Sequence, residues 1–76
     1  MDEFVYGETN ARNVNVRDYP SRGSDLVMRI VDQWTIVEIF GVFYDDDDQV
    51  WYSIWLEDEQ VQAFILAEFV DILPED

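Results

Sequence analysis

The chain has 76 residues, 49% hydrophobic and 16% aromatic, with 18 acidic side chains against four arginines, no lysine and a net charge of −14. That bounds it to one domain with one small core, and it carries too much apolar material for a disordered chain. With no cysteine and no histidine, disulfides, thiolate chemistry and the commonest general base and metal ligand are excluded, and no apolar run approaches membrane-spanning length.

The opening "MDEFVYGETN" lacks a basic region followed by a hydrophobic stretch, so it does not read as a secretory signal. Residues 1–11 are either an extension or a first strand. "NVNVR" (13–17) alternates, placing Val14 and Val16 on one face. "DYPSRGSD" (18–25) is a loop by composition, and "LVMRIV" (26–31) is a short strand. "WTIVEIFGVFY" (34–44) is a long strand, with Gly41 marking a bulge or a close approach. "DDDD" (45–48) turns the chain into the strand "VWYSIWL" (50–56), and "EDEQ" (57–60) turns it into "VQAFIL" (61–66). "AEFVDIL" (67–73) supplies a short turn and a last strand, ended by Pro74, with 74–76 as a tail. Short strands at close spacing with no helical period predict a small all-β barrel.

Charge is uneven along this path. Arg12, Arg17, Arg22 and Arg29 lie in the first 29 residues beside five acids, and the remaining thirteen acids face no base. Such a field repels nucleic acid and anionic membranes and attracts cations and basic protein surfaces.

The aspartate run Asp45, Asp46, Asp47 and Asp48 lacks the alternating acids, the turn glycine and the distant glutamate of a calcium loop, and reads as a solvated hairpin turn. Glu38, Glu68 and Asp71 are interleaved with apolar residues, but without a His, Cys or Lys partner they make no catalytic constellation. We expect no enzyme, no cofactor and no metal. In "VWYSIWL", Val50, Tyr52, Ile54 and Leu56 share one face and Trp51, Ser53 and Trp55 the other. The aliphatic set belongs to the core, which leaves Trp51 and Trp55 on the outer face. They are either an exposed binding patch or covered by the long first loop or the "FVY" segment at 4–6.

Asn15-Val16-Arg17, followed after two residues by Pro20-Ser21, then Trp51-Tyr52-Ser53-Ile54 and "AFILAEFVDIL" (63–73), together resemble the bacterial Src-homology-3 family over residues 12–73. The resemblance implies a five- to six-stranded SH3-like barrel with a long first loop and a short 3-10 turn before the last strand. It places Trp51, Leu66 and Phe69 at groove positions, with Tyr19 on the opposite wall and Trp55 beside them. Glu57, Asp58, Glu59 and Asp45–Asp48 form an acidic surround. Two family glycines are replaced, one by the Asp32-Gln33-Trp34 segment and one by Ala63. The resemblance gives Arg17 a structural role in the loop; its neighbour Asp18 suggests an ion pair.

The implied function is a non-catalytic recognition module for a peptide, a basic protein surface or a cell-wall fragment such as peptidoglycan. An acidic mimic of DNA that occludes a nucleic-acid-binding protein, as phage inhibitors do, is the alternative drawn from charge. A salt-adapted structural domain is the third. No direct contact with nucleic acid or membrane is expected. A complete chain would be cytoplasmic; a domain of a longer protein would belong to the envelope or be secreted.

Overall fold

The computed structural model describes residues 5–74. Seven strands form one antiparallel sheet: β1 (Val5–Thr9), β2 (Val14–Arg17), β3 (Leu26–Ile30), β4 (Ile36–Tyr44), β5 (Val50–Leu56), β6 (Val61–Leu66) and β7 (Val70–Ile72). A 3-10 turn, Ala67–Phe69, precedes β7, where the sequence places one. The all-β class therefore holds. Among the described residues no helix is long and apolar enough to cross a membrane.

The strand order is β3-β2-β6-β5-β4-β1-β7. Two expectations change here. Among the described residues there are seven strands, not five to six, and the ladder runs from one edge, β3, to the other, β7, without closing. The added strand is β1, which the sequence leaves open as extension or strand. Its alternation is masked because the inward residues are Gly7 and Thr9, while Tyr6 is exposed and Glu8 half-buried. Small inward residues are required by the packing. A Cβ on Gly7 would lie 2.6 Å from Val70 Cγ1 and 2.7 Å from Ile39 Cδ1.

The core explains how an open sheet becomes a globule. Val14, Val16 and Ile30 from one end of the strand order pack in one cluster with Val37, Ile39 and Val70 from the other end. Ile54, Leu56, Ala63 and Ile65 lie between them. The sheet thus curls until both ends share one apolar interior, as sheet twist favours.

Among the described residues four non-glycine residues have positive φ: Asp48 (62°) and Gln60 (58°) in the two hairpin turns, and Asn13 (57°) and Trp34 (71°) in short links between strands that are not neighbours in the sheet. Trp34 belongs to the Asp32-Gln33-Trp34 segment, where the turn forms without a glycine. Thr9, fully buried, holds it. Its Oγ1 donates to Asp32 O (3.2 Å) and accepts from Thr35 N–H (3.0 Å), and its carbonyl accepts Trp34 N–H (2.8 Å). Ala63 is fully buried in the core. In β4 the register shifts between Ile39 and Gly41, which makes Phe40 the extra residue of a bulge at the place Gly41 marks.

Candidate functional site

The four aspartates do close the β4–β5 hairpin, and the first of them organises it. Asp45 N–H donates to Gln49 O and Asp48 N–H to Asp45 O, both at 3.0 Å. Asp45 Oδ1 accepts the backbone N–H of Asp47 (2.8 Å) and of Gln49 (2.9 Å). Its Oδ2 accepts Trp51 Nε1–H at 2.9 Å. The indole hydrogen bond holds the Asp45 carboxyl below its ordinary pKa against the opposing effect of burial, with further help from the two backbone donors and nearby Arg22. Asp46, Asp47 and Asp48 stay exposed.

Trp51 is not an exposed patch. It retains only 1% of its surface, because it lies between Phe43 of β4 and Leu66 of β6 in the sheet register. Phe43 also meets Phe64 edge to face, with centroids 5.4 Å apart. The outer face of β5 is therefore covered at this end, and Trp51 forms a wall of the site with little of its own surface offered.

The long loop is held in shape from within. Asp18 N–H donates to Asp25 O (3.0 Å), Arg17 Nη1 donates to Ser24 O (2.7 Å), and Ser24 Oγ lies 2.8 Å from Tyr19 O. Arg17 is thus a loop strut, in agreement with a structural role, and its partner is a carbonyl where an ion pair with Asp18 was expected. Across from this loop stands the aspartate turn. Between them lies a cleft of about 610 Å³ walled by Tyr19, Pro20 and Arg22 on one side and Tyr44, Asp46 and Asp47 on the other. Tyr19 and Tyr44 are exposed to 67% and 69%, so two phenol rings are open to a ligand there.

A second cleft, about 320 Å³, is lined by Trp51, Leu66 and Phe69 together with Arg12, Arg17 and Arg22. The two clefts share Arg22. Three of the five groove positions therefore meet in one cleft and Tyr19 lines the adjoining one. Trp55 does not join them. It lines a third cleft with Tyr6, Glu38 and the turn acids Glu57, Asp58 and Glu59. These acids stand at the far end of β5 from Asp45–Asp48, so the acidic surround is two separate poles. Of the segment 4–6, Phe4 lies outside the described residues, as do Glu75 and Asp76 of the tail.

Sequence reasoning missed Arg12, Arg22 and Tyr44. The alternation of "NVNVR" carries part of the signal: with Val14 and Val16 inward, Asn15 and Arg17 must point outward, and both line the arginine cleft. Among the described residues, no group of three or more carboxylates is arranged to hold a metal ion. No family model matches the chain, and neither curated proteins nor solved structures yield a match.

Proposed function

We propose that the chain is a non-catalytic recognition module of bacterial Src-homology-3 type. Its ligand is an extended peptide, including the peptide part of a cell-wall fragment, laid along the two adjoining clefts. The observation that carries this reading is the convergence of Trp51, Leu66 and Phe69 on one cleft that runs at Arg22 into the cleft of Tyr19. These residues are distant in sequence, and no core requirement explains two open tyrosines facing each other across a loop and a turn.

Charge orients the ligand. Arg12 and Arg22 at one end suit a carboxylate, whereas Asp46 and Asp47 at the other suit a cationic side chain. The ligand we favour therefore carries both signs, which narrows the expectation of a peptide, a basic protein surface or a cell-wall fragment.

Chemical-shift mapping tests this with three probes: a soluble cell-wall stem peptide, a mixed-charge peptide and a purely basic one. The reading requires saturable shifts at the Trp51 indole N–H, Phe69 and Tyr19, and weaker binding of the first two probes to Arg22→Glu. No shift at those residues with any probe would reject it. Strongly salt-dependent capture of a basic protein, with the clefts unperturbed, would favour the DNA-mimic alternative.

A further inference from the structure

Trp55 is the predicted groove residue that the groove does not use. Its surroundings differ from those of Trp51 in every respect. In the sheet register Tyr6 of β1 pairs with Glu38 of β4, and Glu38 pairs with Trp55 of β5. An aromatic ring, a carboxylate and a second aromatic ring thus stand in one row across three strands, on one face. Cross-strand neighbours hold their Cβ atoms about 4.5–5.5 Å apart. The two rings therefore rise about 10 Å from each other with Glu38 between them.

All three line one cleft of about 290 Å³. Ile36 on its wall is 52% exposed and Tyr6 48%, so the cleft presents apolar surface to solvent. Among the described residues its charged lining is Glu38, Glu57, Asp58 and Glu59, with no arginine. Apolar surface with charge of one sign around it is poorly served by water and well matched to one kind of group. A guanidinium is planar, stacks on aromatic faces and pairs with a carboxylate edge-on. A slot bounded by two rings and floored by a carboxylate meets each of those features.

We propose that the face built by Tyr6, Glu38 and Trp55 is a second binding site, which takes an arginine side chain from a partner protein. The ring pair stacks the guanidinium and Glu38 accepts its N–H groups. Glu57, Asp58 and Glu59 draw further basic residues of the partner toward the turn. This site is independent of the paired clefts: it uses none of their residues and has the opposite charge from the arginine cleft.

The test is a titration of the isotope-labelled full chain with a nine-residue peptide of alternating glycine and arginine, alongside the same peptide with citrulline or lysine in place of arginine. Citrulline keeps the shape and loses the charge. Saturable shifts should centre on the Trp55 indole N–H and on the amides of Tyr6 and Glu38, with the citrulline peptide at least tenfold weaker and the lysine peptide intermediate. Glu38→Gln, a near-isosteric change on a strand, should weaken the arginine peptide about fivefold or more without altering the rest of the spectrum. Trp55→Phe should retain more binding than Trp55→Leu. The proposal is overturned if no shift reaches Trp55. It is equally overturned if shifts spread over every acidic turn with Glu38→Gln unchanged, or if they fall on Tyr19, Asp46 and Trp51 instead. The last outcome would leave the paired clefts intact as a site, so failure here and failure there are read from different residues.

Discussion

Gly7→Ala isolates the packing that makes β1 part of the domain. The added methyl would sit 2.6 Å from Val70 Cγ1, 2.7 Å from Ile39 Cδ1 and 3.3 Å from the Asp71 carbonyl. Carbon pairs settle at about 3.5–4.0 Å, so both side chains must retreat by about 1 Å. Neither has room, since Val70 and Ile39 are 5% and 3% exposed and belong to the core cluster. Overpacking of this kind costs about 1–3 kcal/mol. Alanine returns about 0.4–1 kcal/mol by restricting the unfolded chain. The expected net loss is about 1–2 kcal/mol, each kcal/mol lowering the melting midpoint by about 4–8 °C in a domain of this size. The other two glycines are internal controls. A Cβ on Gly41 meets Ser53 Cβ at 3.2 Å, and one on Gly23 meets only Ser21 Oγ at 3.8 Å. Urea melts followed by circular dichroism should rank the alanine variants Gly7, then Gly41, then Gly23, the last equal to or slightly above the parent. A Gly7→Ala protein as stable as the parent, or a Gly23→Ala protein equally damaged, would refute the account of β1.

Four further outcomes follow from named residues. Asp45→Asn keeps one oxygen for the backbone N–H groups of Asp47 and Gln49 but puts an NH2 donor in place of the oxygen that accepts the Trp51 indole N–H, and should shift that resonance and loosen the hairpin turn. In the parent, the folded pKa of Asp45 is lowered. Its stabilising effect is therefore complete above the ordinary aspartate range, falls as pH drops through that range, and is gone below the depressed folded value. The indole N–H should accordingly titrate with a midpoint under the ordinary aspartate pKa, and a midpoint at or above it would contradict the hydrogen bond. Thr9→Val removes the buried acceptor of Thr35 N–H and should cost about 1–3 kcal/mol in a urea melt, where a loss under about 0.5 kcal/mol would show that the turn does not depend on it. Asp48→Gly relieves an exposed left-handed residue (φ 62°) and removes one charge from the run, so it should stabilise by about 0.5–1 kcal/mol, and a loss would mean that Asp48 has a role beyond the turn.

Much of the strand layout is legible because the relevant signals are local. "VWYSIWL" and "VQAFIL" have the observed bounds, the turn at Ala67–Phe69 precedes the last strand, and Gly41 marks the bulge. Local signals fail where a strand's inward side is chosen for closeness instead of hydrophobicity. Gly7 and Thr9 face the interior because Val70 and Ile39 leave no space and because the turn at Asp32–Thr35 needs a hydroxyl, so β1 carries no apolar alternation to read. The seventh strand follows from this concealment, whereas the open ladder, with edges β3 and β7, is set by pairings between distant strands that no local signal carries.

The fate of the two tryptophans shows a different limit. Alternation places Trp51 and Trp55 correctly on one face of β5, opposite Ile54 and Leu56, but a face is not an exposure. Trp51 is flanked across the sheet by Phe43 and Leu66, and its indole N–H is bound by the turn that follows β4. Trp55, four residues on, is flanked by Glu38 and Gln62. The Gln62 amide is itself drawn aside to donate to Ser53 Oγ at 2.6 Å. One ring is therefore sealed by large apolar neighbours and a carboxylate that accepts its only donor, while the other is left half-open beside acids. Both outcomes are set by residues on other strands, which strand periodicity cannot pair without the register. The fold also sorts the charges: the acids of the second turn line the cleft of Trp55, and Arg12, Arg17 and Arg22 line that of Trp51. A chain with net charge −14 can thus present one cleft to anions and another to cations, because side-chain placement, and not the sum, fixes the field that a ligand meets.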